Sequence, residues 1–309
     1  MTPRPLKEHQ PIDADFEDVL TAIADENMPT MRTVEPATAR PFLKWVGGKR
    51  SILPELTARM PQTYSAYCEP FLGGGALFFS VKPTKAYLSD LNFYLALAYR
   101  AVKGDVERLI STLKVHELKH NKDYYLKARL RIAKEQDPTK IGALLIYLNK
   151  TCYNGLFRVN QSGAFNVPMG SYTAPKILDE ENLRACSKSL QGVVIDARPF
   201  WQTAVEKGNF YYLDPPYHKA FSSFDSSGFD DKDHEKLAAF CKELDQAGCC
   251  FMVSNSDTPF IRKLYDRFGI EQVEAGRFVS CKGTQRGKEK ELIIRNYTAD
   301  QRKKGDTDG

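Results

Sequence analysis

The chain has 309 residues, of which 42 % are hydrophobic and 27 % are charged, and its net charge is +5. This length and composition suffice for one large domain or two smaller ones with a buried core, which excludes a wholly disordered chain. Mean hydropathy is −0.44, and no run approaches the roughly 18 apolar residues of a membrane span, so we expect a soluble protein.

Residues 1–40 carry four Lys and Arg against eight Asp and Glu. We expect an acidic, flexible extension there, and no export signal, because no apolar signal core is present. The remaining chain has a net charge of +9, and 114–176 alone holds eleven basic against four acidic residues. Such a segment is typical either of a surface that faces a polyanion or of a solvated helix face.

From Pro41 onward, strand and helix patterns alternate. The segment 65–81 (SAYCEPFLGGGALFFSV) predicts a strand, a glycine turn and a helix start, and KAYLSDLN predicts a second strand, followed by a helix. The pattern is helical from Val106 to Tyr147. Segment 149–175 has no sustained period and predicts a hairpin with loops. The β-α-β-α order indicates an α/β fold with a mainly parallel sheet.

The α/β rhythm returns after the hairpin. Strands are predicted at 193–197, 209–217 and 249–255, helices at 231–247 and 258–268, and two closing strands at Glu271–Ala275 and Lys290–Arg295. The helical and loop-rich region therefore interrupts an α/β domain. The seven cysteines show no CxxC or Cys/His spacing, which indicates reduced thiols rather than disulfides or a structural zinc site.

The tetrapeptide Asp214-Pro215-Pro216-Tyr217 follows the apolar strand FYYL. Ligands of open α/β sheets gather at the carboxyl ends of the strands, where this tetrapeptide falls. The prolines stiffen the chain and lack N–H donors, so the Asp214 carboxylate and the Pro215 carbonyl form a rigid pair of acceptors beside an aromatic ring. This set suits a planar exocyclic amine, and an ordinary turn after a strand is the alternative.

Two more segments could bind a nucleotide-like ligand. The turn at 69–75 lets the backbone approach a ligand closely, and Asp90 ends the next strand, where a carboxylate can accept hydrogen bonds from ribose hydroxyls. Together they suggest an adenosyl ligand, whereas each alone could be structural. The segment 42–49 (FLKWVGGK) contains Gly-Lys without the P-loop spacing, which disfavours a phosphate-cradle NTPase.

In this order, FLKWVGGK, EPFLGGG, LSD, YNGLFRVNQSGAFNVPMGSY, DPPY and SNSDT resemble the motifs of the Dam family of DNA adenine-N6 methyltransferases. The resemblance is to the D12-type, α-ordered class with a GATC-like recognition hairpin, and it covers about residues 41–297. It implies a Rossmann-like catalytic domain at 41–105 and 190–297 and an inserted helical and hairpin target-recognition domain at 106–189. Residues 298–309 form a polar tail. Phe157 and Ser171 depart from the family pattern.

The resemblance also implies S-adenosyl-L-methionine as methyl donor, and no metal. The residues expected to bind the cofactor are Trp45, Lys49, Phe71, Gly73, Gly75, Asp90 and Asp214. The expected catalytic residues are Asp214, Pro215, Pro216 and Tyr217. The residues expected to contact DNA are Lys44, Tyr153, Asn154, Leu156, Arg158, Pro168 and Tyr172.

The expected reaction is methyl transfer to N6 of an adenine flipped out of double-stranded DNA, with GATC as the expected site. Basic residues of 114–150 and of the loop Arg277–Lys290 are expected to hold phosphates, and Arg158 to contact guanine O6 and N7. The alternatives are another adenine-containing site, a catalytically silent DNA-binding regulator, and a methyltransferase that acts on glutamine amides or RNA. We expect a monomer or weak dimer in the cytoplasm, without membrane contact, of bacterial, plasmid or phage origin.

Several side chains near these motifs are expected to be structural. Cys249 and Cys250 lie in an apolar strand and are expected in the core. We expect no catalytic role for His218, which directly follows DPPY, and we expect Asp257 or Thr258 to cap the helix that starts at Pro259.

Overall fold

The computed structural model describes residues 38–160, 164–219, 229–275 and 289–298. The strands are β1 (Tyr67–Glu69), β2 (Ala86–Asp90), β3 (Val194–Ala197), β4 (Phe210–Leu213), β5 (Cys250–Ser256), β6 (Gly269–Ala275) and β7 (Glu289–Arg295). The helices are α1 (Leu53–Ala58), α2 (Ala76–Val81), α3 (Phe93–Gly104), α4 (Val106–Leu118), α5 (Lys122–Arg131), α6 (Pro138–Thr151), α7 (Glu180–Ser189), α8 (Asp231–Gln246) and α9 (Pro259–Leu264).

The seven strands form one sheet in the order β3-β2-β1-β4-β5-β7-β6. The first five are parallel, whereas β7 runs antiparallel to both β5 and β6. This arrangement confirms the predicted Rossmann-like α/β fold. The chain moves outward from β1 to β3 and then returns to β4, so a crevice opens between the carboxyl ends of β1 and β4.

The central strands are buried on both faces. All residues of β1 and β4 are buried, and neighbouring residues along each strand enter two different hydrophobic clusters. Tyr212 packs into the cluster that includes α3, whereas Tyr211 and Leu213 pack into the cluster that includes α8. Strands covered in this way read as continuous apolar runs, which explains the FYYL sequence before Asp214.

The first four helices after β2 begin at polar caps. α3, α4, α5 and α6 each follow a side chain that accepts a backbone N–H of the first turn, and these caps are Asn92, Asp105, Asn121 and Asp137. The helical pattern predicted over Val106–Tyr147 is thereby divided into three helices. α6 packs closely on α3, since a Cβ on Gly142 would lie 2.8 Å from the Cβ of Ala101.

The predicted hairpin begins later than expected, because α6 continues to Thr151. A 3-10 turn at Tyr153–Gly155 follows, and two isolated antiparallel bridges join Cys152 to Met169 and Val159 to Phe165. We call residues 152–172 the recognition hairpin, after the role that the family resemblance implies for them; residues 161–163 lie outside the described residues. Its loose pairing explains why no strand period was visible in the sequence.

Other predictions are corrected or confirmed locally. The sequence did not predict α1 or α7, and the helix predicted at 258–268 ends at Leu264. Thr258 caps that helix as expected, since its side chain accepts the N–H of Ile261. Cys249 is buried and Cys250 is half-buried, both as free thiols. Within the described ranges, no helix has the length and apolar character needed to cross a membrane.

Candidate active site

The two chemical segments singled out in the sequence lie at the same crevice. β1 ends at Glu69 and continues into the glycine turn, and β4, its parallel neighbour, ends at Leu213 and continues into Asp214–Tyr217. Ligands of open α/β sheets bind at this reversal of strand order. We call this region, with the end of β5 and Lys49, the catalytic edge.

Asp214 forms a largely buried ion pair with Lys49. Lys49 Nζ lies 3.0 Å from Asp214 Oδ1, and the two side chains are 8 % and 18 % exposed, respectively. Lys49 Nζ also donates a hydrogen bond of 2.6 Å to the carbonyl of Gly47. Burial raises the pKa of Asp214 to about 6, and Lys49 opposes that rise. Asp214 therefore remains mostly ionised at neutral pH and can accept hydrogen bonds.

The Tyr217 ring lies beside this ion pair. Its centroid is 4.5 Å from Lys49 Nζ, and its hydroxyl donates to Glu291 Oε2 on β7 at 2.6 Å. Burial and the carboxylates of Asp214 and Glu291 hold the pKa of Tyr217 well above its ordinary value. The phenol therefore stays protonated and keeps its role as donor.

The backbone after Tyr217 is fastened to β5 and α9. His218 N donates to Asn255 Oδ1 at 3.1 Å, and the His218 carbonyl accepts a hydrogen bond from Ser256 Oγ at 2.5 Å. His218 Nδ1 lies 2.8 Å from Thr258 Oγ1. These contacts give His218 a structural position and hold the Asp214–Tyr217 segment in place.

The glycine turn after β1 is covered by Trp45. Gly73 has a φ of 47°, and a Cβ on it would lie 3.0 Å from Trp45 Cδ1. Gly75 has a φ of 64°, and a Cβ there would lie 2.8 Å from the hydroxyl oxygen of Tyr99. Both positions therefore require glycine, for backbone conformation and for space.

Asp90 lies against the same turn. Its carboxylate accepts hydrogen bonds from Gly73 N at 3.0 Å and from Asn92 N at 2.9 Å, and burial raises its pKa. The half-buried Phe71 packs against the hydrophobic cluster that includes α8, and its ring stacks on Phe200 with centroids 5.3 Å apart. We call Gly73, Gly75, Asp90 and Trp45 the cofactor cradle. They fit an adenosyl ligand, because the turn admits close approach, the carboxyl can accept from hydroxyls and the indole supplies an aromatic wall.

Asn149 joins the N-terminal motif to the recognition hairpin. Its side chain accepts from Lys44 N at 2.8 Å and donates to the carbonyls of Lys44 at 2.7 Å and Gly155 at 2.8 Å. A Cβ on Gly155, whose φ is 65°, would lie 2.5 Å from Lys44 Cβ. The Lys44 ammonium reaches the Tyr172 ring, 4.2 Å from its centroid. Lys44 and the hairpin are thus parts of one surface.

The other residues expected to contact DNA lie on this same hairpin. Tyr153, Asn154, Pro168 and Tyr172 are exposed, whereas Leu156 and Arg158 are half-buried. Arg158 Nε donates to Asn166 Oδ1 at 2.8 Å, which fixes the direction of its guanidinium group. Asn154 adopts a left-handed backbone with a φ of 54°, so the chain turns sharply at the exposed tip. The loop Arg277–Lys290 lies outside the described residues up to residue 288.

Phe157 connects the hairpin to the cofactor cradle. Its ring stacks on Trp45 with centroids 6.0 Å apart and an interplanar angle of 25°, and it also contacts Tyr94 and Phe165. Trp45 is therefore held between the glycine turn and the hairpin. In the sequence, Phe157 stands out only as a departure from the family pattern.

Comparison with known families matches residues 45–278 to the D12 class of N6 adenine-specific DNA methyltransferases. The match includes both segments of the crevice and the recognition hairpin. The chain belongs to this family. It is therefore an adenine-specific DNA methyltransferase.

The alignments of this methyltransferase with its relatives cover nearly the whole length of each relative. Type II methyltransferase M1.LlaDCHI of Lactococcus lactis is 40 % identical over 272 residues, which cover 84 % of the chain and 95 % of the relative. Type II methyltransferase M.MjaIII of Methanocaldococcus jannaschii is 41 % identical over 286 residues, covering 84 % and 99 %. The DNA adenine methylase of Haemophilus influenzae is 30 % identical over 265 residues, covering 82 % and 92 %. Membership of the D12 family thus gives the class of reaction. It does not give the DNA sequence that this enzyme methylates.

Two residues that shape this candidate site could not be singled out from the sequence. Asn149 is a buried amide directly after the apolar run LLIYL. A buried polar group must find hydrogen-bond partners, so an Asn at this position is a usable signal. Glu291 lies in the charged segment KEKEL, where nothing distinguishes it from its neighbours. In the part of the chain that the structure describes, no three His, Cys, Asp or Glu side chains are arranged to hold a metal ion.

Proposed function

We propose that this methyltransferase moves a methyl group from S-adenosyl-L-methionine to N6 of an adenine flipped out of double-stranded DNA, with GATC as its site. The observation that carries the proposal is the Asp214 carboxylate at the end of β4, paired with the Lys49 ammonium, which also contacts the Tyr217 ring.

The cofactor fits the cradle under Trp45. When bound, S-adenosyl-L-methionine supplies an activated methyl group on a sulfonium. Gly73 and Gly75 would admit its nucleoside part, Asp90 would accept from its ribose hydroxyls, and Trp45 and Phe71 would form walls of the pocket. Lys49 would face its carboxylate from the position where it now pairs with Asp214.

The acceptors at the catalytic edge activate the amine. Adenine N6 is a weak nucleophile because its lone pair is delocalised into the ring. Hydrogen bonds to the Asp214 carboxylate and the Pro215 carbonyl draw the amine hydrogens out of the ring plane, which directs the lone pair toward the methyl group. Positioning and electrostatics then suffice for direct transfer, without a covalent enzyme intermediate.

A base that remains stacked in a duplex cannot reach these acceptors. Flipping it costs a few kcal/mol, which stacking on Tyr217 and hydrogen bonds in the pocket offset. Pro215 and Pro216 hold the backbone rigid, and Asn255 fixes the peptide that follows Tyr217. The pocket is thus formed before the base arrives.

We assign target recognition to residues 106–189, with 41–105 and 190–297 as the catalytic domain. Support comes from the clustering of Lys44 with the recognition hairpin and from the fixed direction of Arg158, which suits bidentate contact with a guanine. Basic residues of 114–150 would hold phosphates. We further propose that the protein is a monomer or weak dimer that acts on DNA in the cytoplasm. The bacterial origin of the relatives supports this location.

The type II relatives favour a second candidate, the same chemistry at another adenine-containing sequence. One experiment tests both: plasmid DNA from cells that express the protein is digested with methylation-sensitive enzymes, and N6-methyladenine is mapped by long-read sequencing. We expect methylation at GATC. Methylation at another motif supports the second candidate, and DNA without new N6-methyladenine contradicts both.

A further inference from the structure

Glu291 belongs to the last strand of the sheet and lies at the catalytic edge. β7 runs antiparallel to β5, so its first residues lie where the parallel strands end, and Glu291 pairs in register with Ser256 at the end of β5. A side chain 74 residues after Tyr217 thereby reaches the Tyr217 hydroxyl. Neither the sequence motifs nor the family match, which ends at residue 278, includes it.

The contact is a short hydrogen bond from a phenol to a carboxylate. Tyr217 Oη lies 2.6 Å from Glu291 Oε2, and hydrogen bonds with an ionised partner are shorter and stronger than neutral ones. The ring face is contacted by Lys49, which in turn pairs with Asp214. Four side chains therefore form one chain of contacts from β7 to the end of β4.

This chain of contacts fixes an aromatic ring at both ends. The backbone of Tyr217 is held through His218 and Asn255, whereas the hydroxyl at the far end of the ring is held by Glu291. Without the second contact, the ring could turn about its side-chain bonds. A ring that receives a flipped base works best when its orientation is set beforehand, because ordering it during the reaction adds to the barrier.

We propose that Glu291 is a positioning residue for methyl transfer: its carboxylate holds the Tyr217 hydroxyl, and so keeps the ring in the orientation on which the target adenine stacks. The inference rests on the proposed function, in which Asp214–Tyr217 receives the adenine. Glu291 acts through Tyr217 and contacts neither the base nor the cofactor.

A second effect of Glu291 is electrostatic. Its charge adds to burial in raising the pKa of Asp214, against the effect of Lys49. The other ionisable groups that interact with Asp214 are Glu69, Tyr212 and Tyr217, each with its pKa raised well above its ordinary value, first by burial. Lys49 and Glu291 are the charged groups that act on the pKa of Asp214, with opposite effects.

The test compares four variants of the full chain: E291L, E291Q, Y217F and the double variant E291L/Y217F. Single-turnover methylation rates and DNA dissociation constants are measured, together with the fluorescence of a duplex that carries 2-aminopurine at the target position. We expect E291L and Y217F each to slow transfer by about tenfold, the worth of one charge-assisted hydrogen bond. DNA affinity should change less than about twofold, because the recognition surface is untouched.

The double variant distinguishes positioning through Tyr217 from independent effects. If both residues act through one hydrogen bond, the double variant is about as slow as either single variant, since coupled residues are not additive. Independent effects would multiply and would contradict the proposal. E291L at the wild-type rate would contradict it as well. The 2-aminopurine signal should fall in E291L and Y217F alike, because both leave the ring unanchored.

E291Q keeps the inference testable if E291L does not fold. Its amide oxygen still accepts from Tyr217, so we expect a loss of only about twofold to threefold, smaller than for a lost hydrogen bond. Its pH–rate profile should shift, with the acid limb moved to lower pH as the pKa of Asp214 falls. E271Q is the matched control, because Glu271 on β6 pairs with Arg59 and Arg295 instead of the catalytic edge. An unshifted acid limb in E291Q would contradict the electrostatic effect.

The same measurements separate this inference from the proposed function. If the wild-type protein fails to methylate adenine, the proposed function fails. If wild type is active and D214N is inactive while the E291L rate is unchanged, only the role of Glu291 fails.

Discussion

The catalytic edge and the recognition hairpin are built in opposite ways. At the catalytic edge, the functional groups follow buried parallel strands, and a largely buried ion pair joins Asp214 to Lys49. In the hairpin, two isolated bridges replace regular strand pairing, and Tyr153 and Tyr172 are 45 % and 36 % exposed. One region is fixed by the core of the sheet, and the other presents side chains from a loop.

The difference suits the roles that we propose for the two regions. Chemistry at an amine requires acceptors within a narrow range of distance, which only a rigid support provides. Reading a duplex requires side chains that reach several bases and tolerate the bending of DNA. Substitutions at the catalytic edge should therefore act on the rate of transfer for every duplex, whereas substitutions in the hairpin should act differently on different sequences.

D214N should have the largest effect. The amide cannot replace an ionised acceptor, so we expect the single-turnover rate to fall by about 10²–10³-fold, the usual cost of losing one preorganised electrostatic group. DNA affinity and the temperature of unfolding should change little. The measurement uses labelled cofactor and a duplex containing the mapped site. D266N, a change of the same kind at an exposed residue just after the end of α9, is the control. A D214N enzyme with more than a tenth of wild-type activity contradicts the mechanism.

R158A tests the other region. We expect kcat/KM on the cognate duplex to fall by about tenfold to a hundredfold, with a much smaller loss on duplexes that already lack the guanine it reads. Specificity, expressed as the ratio of the two values, should fall accordingly. R184A is the control, since Arg184 pairs with Glu107 and Glu180 on the helices. An equal loss on all duplexes would mean that Arg158 contacts the DNA backbone instead of a base.

The two regions also differed in how far the sequence predicted them. FYYL followed by Asp-Pro-Pro-Tyr gave both the strand and the acceptors at its end, because an apolar run and a rigid dipeptide are local features. The hairpin was predicted only as a segment without a period, since its two isolated bridges leave no alternation. Where the family resemblance placed its contact residues, the structure shows exposed or half-buried side chains on one surface.

Contacts between distant segments could not be predicted from either pattern. Asn149 holds Lys44 across 105 residues, and Glu291 holds Tyr217 across 74. The partner of such a side chain is set by the strand order and by the crossing of helices, which a single sequence does not show. The ion pair between Lys49 and Asp214 also joins distant segments. Their opposite charges make such a pair possible, but the sequence does not show that the two residues meet.

Acid pH should separate the chemistry from the fold. Burial raises the pKa of Asp214 to about 6, so the acceptor is protonated as the pH falls through that value. Transfer should then slow by about tenfold per pH unit below 6, since only the ionised form accepts from the amine. The folded state binds this proton more readily than the unfolded chain, so protonation of Asp214 does not destabilise the fold.

A control for this pH effect is His116, which lies in one of the helices that precede the hairpin. Buried His116 on α4 has its pKa lowered to about 3, so its contribution to stability is full above the unfolded pKa near 6.5 and is lost as the pH falls toward 3. Unfolding curves at pH 5.5 and 7 show how much of the loss of activity is due to the loss of stability through His116. H116Q should flatten the pH dependence of stability while the acid limb of the rate stays in place. If the acid limb moved with H116Q, the loss of activity would be due to unfolding.

F157L should have the smallest effect, and it should affect both regions. Leucine keeps the apolar contact and removes the ring that stacks on Trp45, and such ring pairs are worth about 0.5–1.5 kcal/mol. We expect cofactor binding, followed by tryptophan fluorescence, and DNA binding, followed by anisotropy, each to weaken by about threefold. D214N and R158A should each disturb mainly one region. F268L, which removes a ring contact with Phe251 in the opposite cluster, is the control. If F157L changed only one of the two affinities, the hairpin and the cofactor cradle would be mechanically separate, and the stacking of Phe157 on Trp45 would serve stability alone.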